Sequence, residues 1–241
     1  MAYQDVFKRV EKKYLIDEEK YNQLFDRIKD YITPDRYGES TICNIYYDTP
    51  DHRLIRRSLE KPVYKEKFRV RSYGVPTMED EVFVELKKKF KGVVFKRRAG
   101  MTLAQTKDFI GRGKLFGNHH QIKKEIKYFL NYYPDVAPAM YLSYDRTAFY
   151  ATNNPELRIT FDTNITYREE ELSLEKGVWG TKLLNRGERV LEIKIPGSMP
   201  VWLAEILADL KIYPTSFSKY GRAYLQTLEN KFKKQKVNDC A

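Results

Sequence analysis

Four cations recur at alternate positions of one stretch: Lys65, Lys67, Arg69 and Arg71 in YKEKFRVRSYG, residues 64–74. At the two-residue period of a β-strand they share one face. Tyr64, Phe68 and Val70 share the other, with Glu66 as the charged exception. Neighbours along one face stand about 7 Å apart and repel, so such a row is best accommodated beside an anion. A solvated edge strand, whose lysines discourage pairing with other chains, is the alternative.

The same inversion recurs along the chain. Arg9, Glu11 and Lys13 alternate in 5–16, Glu85 and Lys87 in EVFVELKKK (81–89), and Lys96 and Arg98 in VVFKRRA (93–99). Arg146 centres AMYLSYDRTAFY (139–150). Arg158, Thr160, Asp162 and Asn164 alternate in 156–168, and Glu192 and Lys194 in 189–196. About eight strands therefore carry charge on one face and aliphatics on the other. The expected fold is α+β, an eight-stranded antiparallel β-barrel with the charges inside and helices packed outside. Two like charges 7 Å apart cost about 2 kcal/mol at an effective dielectric of 20. Glu11, Glu85, Asp162 and Glu192 are too few to balance the cations of one lumen. A linear chain of phosphates supplies the missing charge, with oxygens that match guanidinium forks. Carboxylates among phosphates suit a hard divalent ion, Mg²⁺ or Mn²⁺.

The elements that must position these residues are legible from caps and breakers. Asp17 can cap a helix through about residue 32, ended by Thr33-Pro34. A strand at 41–49 precedes a short helix opened by Pro50 and carrying Arg53, Arg56 and Arg57. Lys91-Gly92 forms a hairpin turn, and Gly100 breaks the strand after it. Thr102 can cap a helix to about residue 111. A loop with Gly111, Gly113 and Gly117 leads through Asn118 into a helix to residue 133. Ser198 or Met199-Pro200 opens a helix to about 210, and Ser216 or Ser218 caps a last helix through 232.

The 241 residues suit one substantial domain or at most two small ones, and the expectation is a single domain, 1–241, with a basic tail at about 231–241; the formal net charge of +11 points to anionic partners. Cys43 and Cys240 make no metal or redox spacing, so a reducing compartment is expected. Residues 1–13 lack an apolar signal core, and no run approaches the roughly 18 apolar residues of a membrane span. The expectation is a cytoplasmic protein without a membrane span. Nucleic acid is not an expected partner, because the cations alternate with aliphatics instead of forming an exposed stripe with aromatics. His52, His119 and His120 fall at helix entries and carry no expected role. Tyr46, Tyr47 and Tyr144 read as packing residues.

Taken together, RVEKKY, IYYDT, KFRVRSYG, FVELKKK, VVFKRR, YDRTAF, LRITFDTN, VLEIKIP and SFSKYGR resemble, in order, the polyphosphate polymerase domain of vacuolar transporter chaperone (VTC) proteins in its bacterial stand-alone form. The resemblance covers about 7–224. It implies membership of the triphosphate tunnel metalloenzymes (CYTH-like), eight-stranded tunnels that bind triphosphates with divalent metal. It implies an ATP:polyphosphate phosphotransferase, with ATP and polyphosphate as ligands and Mn²⁺ or Mg²⁺ as cofactor; partner proteins are unknown. Arg69, Arg71, Lys87 and Arg146 match catalytic phosphate ligands. Arg9, Lys13, Lys96 and Lys219 match further phosphate contacts, the last at a tunnel mouth. Lys65, Lys67, Arg98, Arg158 and Lys194 join them by strand phase. Glu192 matches the metal-binding glutamate, with Glu11 and Glu85 as further metal candidates.

Two departures bear on chemistry. Tunnel triphosphatases begin E-x-E-x-K, and here Arg9 stands at the first glutamate, which favours a polymerase-type site. Fungal polymerase domains carry a histidine where this chain has Lys89, so no phosphohistidine forms there. The rival readings are a tunnel hydrolase acting on inorganic triphosphate or an RNA 5′-triphosphate, and a non-catalytic sensor of polyphosphate or nucleotide.

Overall fold

The computed structural model describes residues 10–91, 93–114, 116, 121–195 and 197–238. The elements are β1 (Val10–Ile16), α1 (Glu18–Ile28), β2 (Ile32–Asp48), α2 (Arg53–Leu59), β3 (Tyr64–Tyr73), β4 (Glu81–Phe90) and β5 (Val93–Thr102). They continue with α3 (Leu103–Arg112), α4 (Gln121–Tyr132), β6 (Ala137–Ala151), β7 (Asn154–Arg168), β8 (Thr181–Lys182), β9 (Arg189–Ile195), α5 (Val201–Asp209) and α6 (Lys219–Asn238). The class is α+β, with an antiparallel sheet in the order β1-β9-β7-β6-β2-β3-β4-β5 and β8 beside β7. Among the described residues β1 and β5 end that order.

The chain forms two compact units, one of Met1–Thr41, Tyr144–Ile165 and Leu184–Phe217, the other of Ile42–Ser143, Thr166–Leu183 and Ser218–Ala241. Each has its own core. In the first, Tyr14, Ile16, Ile159, Phe161, Leu191 and Ile193 of β1, β7 and β9 pack against Leu24 and Ile28 of α1 and Leu203, Ile206 and Leu207 of α5. Asp17 caps α1 by accepting the Lys20 amide at 2.8 Å. The helix ends at Ile28, earlier than its spacing suggests. A 3-10 turn follows, and β2 begins at Ile32. The strand expected from residue 41 thus starts at Ile32 and takes in Thr33-Pro34, near a strand end where proline is tolerated.

In the second unit Phe68, Val70, Val82, Val84 and Leu86 pack against Phe109 of α3 and Ile126 and Phe129 of α4. Burying a side chain of this kind contributes about 1.5–3 kcal/mol. The alternation read from sequence is the alternation observed: the aliphatic face of β3 and β4 lies under helices. Glu66, the exception, is buried on that face because the Tyr64 and Tyr133 hydroxyls donate to it at 2.6 and 3.1 Å and Lys88 pairs with it at 3.7 Å. Gly100 does not break β5. It lies in the strand opposite Phe83, where a Cβ would stand 2.4 Å from Glu81 Oε1. Its role is close approach. Thr102 caps α3 in a reciprocal box with Gln105. Gly111 belongs to the last turn of α3, and Gly113, at φ 66°, ends it. The expected Gly117 and Asn118 loop residues, His119 and His120 lie outside the described residues, as do Arg9, Gly92 and Cys240. Ser218 caps α6 by accepting the Gly221 amide at 3.1 Å, and α6 runs to Asn238, beyond the expected end.

Candidate functional site

In the second unit, strand register turns the sequence row into a lattice. Lys67, Lys87 and Lys96 stand side by side across β3, β4 and β5. One step along, Tyr46, Arg69, Glu85 and Arg98 stand side by side across β2 to β5. The next step places Asn44 beside Arg71. Directly opposite residues of antiparallel strands project to the same face, so these cations are brought together around one carboxylate.

Glu85 is the hub. It is 2% exposed. Arg69 reaches it at 2.6 Å, Lys96 at 2.6 Å and Arg98 at 3.5 Å. Burial pushes the Glu85 carboxyl up, but Arg69, Arg71 and Lys96 outweigh it and hold the group down at about 2. Arg69 also donates to the Tyr46 hydroxyl at 2.9 Å, and Arg71 to Asn44 Oδ1 at 2.9 Å. Burial raises the Tyr46 phenol, yet Arg69, Arg71 and Lys67 bring it to about 8. Tyr46 stacks on Tyr220 at 4.6 Å, and Lys67 donates to Ser218 Oγ at 2.8 Å. Both contacts bring the start of α6, and with it the largely buried Lys219, to the charged side of β2 and β3.

The Glu85 geometry sets an expected pH response. The carboxyl titrates at its ordinary 4.5 when unfolded and at about 2 when folded. A depressed folded value means that its stabilisation, about 3 kcal/mol, is complete above pH 4.5 and is lost as pH falls toward 2. Urea unfolding across that window should show wild type losing this much more stability than Glu85→Gln. Equal losses in the two proteins would show that Glu85 is not the group responsible.

The first unit holds a second arrangement. Register places Lys13 opposite Glu192 and Glu192 opposite Thr160; the adjacent row is Glu11, Lys194 and Arg158. Glu192 meets Lys194 at 3.0 Å, Lys13 at 3.7 Å and Arg146 at 3.8 Å, while Glu11 meets Lys13 at 3.1 Å. Arg146 donates twice to the fully buried Asp162, at 2.6 and 2.7 Å, and lies over the Tyr144 ring. Burial works against the Arg146 charge, but Tyr144, Asp162 and Glu192 outweigh it and hold the guanidinium protonated. Arg158, exposed, pairs with Asp35 at the start of β2.

Among the described residues no three carboxylate, histidine or cysteine side chains form a ready-made metal cage. Mg²⁺ is usually held by one or two carboxylates with substrate phosphates and water. In the first unit Glu192 and Glu11 share Lys13 and fit such a role; in the second, Glu85 is engaged by three cations.

Sequence reasoning passed over four partners. Tyr46 and Tyr144 are buried, as packing residues are, but one also accepts from Arg69 and the other lies under Arg146. Asn44 receives Arg71, and Asp35 holds Arg158. The phase of β2 offered a signal for two of them, since Asn44 and Tyr46 alternate with Ile45 and Cys43, which are buried on the aliphatic face. Asp35 gave none, because it lies between the expected helix end at Thr33-Pro34 and the expected strand at 41–49.

The family model of the VTC domain matches residues 8–228. Solved structures share the fold. A proposed adenylate cyclase from Bacillus halodurans is 14% identical, with a TM-score of 0.54 over 87% of this chain and 93% of that one. A proposed adenylyl cyclase from Hippeastrum, described as having a dominant triphosphatase activity, is 13% identical, with a TM-score of 0.53 over 88% and 93%. One from Vibrio parahaemolyticus is 11% identical, with a TM-score of 0.51 over 90% and 97%. No curated protein matches the sequence. No helix among the described residues is long and apolar enough to cross a membrane.

Proposed function

The chain belongs to the VTC domain family, and from that premise we propose that it is a polyphosphate polymerase, transferring the γ-phosphoryl group of ATP to the end of a polyphosphate chain. The observation that carries this reading is the lattice around Glu85: Arg69, Lys96 and Arg98 meet one buried carboxylate, with Arg71 near it and Lys67 and Lys87 in the adjacent row of the same face. Cations in that excess suit a ligand with several negative charges in a line. Closure of the sheet into an eight-stranded tunnel is part of the proposal, as is a single domain over 1–241.

The chemistry asks little covalent work of the protein. A terminal oxygen of the growing chain forms a bond to the γ-phosphorus, the bond from that phosphorus to the β,γ-bridging oxygen breaks, and ADP leaves. The attacking oxygen is already anionic at neutral pH, so no general base is required. Arg69 and Arg71 hold phosphoryl oxygens by their guanidinium forks, with Arg69 anchored by Glu85 and Tyr46 and Arg71 by Asn44. Lys67, Lys87 and Lys96 offer a row of point charges for chain phosphates. In the first unit Arg146, Lys13 and Lys194 take phosphate oxygens, and Glu192, with Glu11, would hold a divalent ion. That ion, when bound, supplies Lewis-acid neutralisation of phosphate charge.

The test is incubation with ATP and Mn²⁺, with products resolved by gel. ADP with long polyphosphate is the expected result. Orthophosphate as the main product, with no polymer at any metal concentration, would replace the polymerase with a hydrolase. Salt-sensitive binding of ATP without turnover would leave a sensor.

A further inference from the structure

The end of the β4–β5 hairpin extends past the helices that cover the rest of its face. Register places Leu86, Lys88 and Phe90 of β4 opposite Arg97, Phe95 and Val93 of β5 on the helix-covered face. Leu86 is fully buried, and Arg97 is held by Glu125 of α4 at 2.8 Å. Beyond that pair the face opens. Phe90 and Phe95 are each 46% exposed, and Val93 is similarly bare. The apolar surface continues over Tyr64, whose ring meets Phe90 at 6.5 Å. Tyr64 shares Glu66 with Tyr133, and Tyr133 packs on Tyr132 at 4.8 Å. Tyr132 stacks on Tyr128 along α4, and both rings are about two-thirds exposed.

Charge frames this surface. Residues 87–98, KKKFKGVVFKRR, contain no carboxylate. Lys88, Lys96, Arg97 and Arg98 have acidic partners within the unit. Lys89 and Lys91 stand exposed at the tip. Partial burial, followed by the charges of Lys89, Lys87 and Lys61, lowers the neighbouring Lys65 ammonium. The exposed Phe90, Val93 and Phe95 form an apolar patch beyond the helix cover that calls for a partner. A second copy of the chain would bring the same cations against these and is disfavoured. An acidic surface with an apolar interior meets both requirements, and aromatic rings with flanking lysines are the chemistry of a bilayer interface.

We infer that the β4–β5 hairpin end docks on an anionic lipid bilayer, with Phe90, Val93 and Phe95 at the headgroup–acyl boundary and Lys89 and Lys91 over acidic headgroups. This rests on the exposed hairpin and not on the reading of the phosphate-binding residues. It requires no spanning helix.

The test is sedimentation of the full chain with phosphatidylcholine vesicles, with and without phosphatidylserine, in saturating inorganic triphosphate so that phosphate-binding residues are occupied. Binding to the mixed vesicles and not to the neutral ones is expected. Lys89→Gln with Lys91→Gln should weaken it by about 25-fold, at about fivefold per lysine. Phe90→Ser with Phe95→Ser should weaken it by about tenfold or more. Each variant is checked by thermal melt. Should the serine pair not fold, Phe95→Trp, which removes no apolar surface, should shift its emission to the blue on the mixed vesicles. Absence of wild-type binding to the mixed vesicles overturns the inference and hands the patch to a protein partner. Binding retained in full by a folded serine pair, binding abolished by triphosphate, or an unshifted tryptophan overturns it too.

Discussion

Asp162→Ala is expected to destabilise the protein by about 3 kcal/mol or more. Asp162 is fully buried and receives two short hydrogen bonds from Arg146, whose side chain is itself 15% exposed. Its removal leaves a buried guanidinium with Glu192, at 3.8 Å, as a poorer partner. Breaking such a pair costs more than the pair contributes, because the remaining charge is left with little water and a more distant counter-ion. Replacing both members with apolar residues of similar size, Asp162→Leu with Arg146→Met, should recover most of the loss. That double variant should still fail in phosphoryl transfer if Arg146 takes a phosphate oxygen. Chemical denaturation measures the first claim and turnover the second. An Asp162→Ala protein within about 1 kcal/mol of wild type would show that Arg146 finds adequate solvation without it.

Glu192→Gln is expected to lower turnover by roughly a thousandfold while triphosphate affinity changes little. Lys13, Arg146 and Lys194 all converge on this carboxylate. Two roles predict different outcomes. A purely structural carboxylate that keeps three cations apart would lose stability on substitution, and triphosphate would restore it, since the ligand itself pairs those cations. A carboxylate that holds a divalent ion with the substrate would lose rate at near-normal stability. Triphosphate binding, thermal melts and single-turnover rates on one preparation separate the two. Near-normal turnover in Mn²⁺ would remove Glu192 from the mechanism.

Much of this site is legible in sequence because a strand has a period of two. One stretch, YKEKFRVRSYG, establishes that Lys65, Lys67, Arg69 and Arg71 share a face, and the aliphatic partners of each strand fall under helices as their phase requires. Phase alone does not say which residue of a neighbouring strand lies opposite. Register decided that Glu85 sits between Arg69 and Arg98, and so that the repulsion expected along the row is partly relieved before any ligand arrives. Register likewise put Tyr46 and Asn44 beside the two arginines, where the phase of β2 gives only their face. Helix caps at Asp17 and Thr102 were local and therefore visible. The early end of α1 and the strand at Thr33-Pro34 were not, because β2 is set by its partners and not by its own residues. Glu66 shows the same limit from the other side. Sequence marks it as a charge on the wrong face, and only the packing of Tyr64 and Tyr133 supplies the hydroxyls that make its burial tolerable. What the chain determines by itself is the face each side chain takes; which charges meet is decided by pairing across strands distant in sequence.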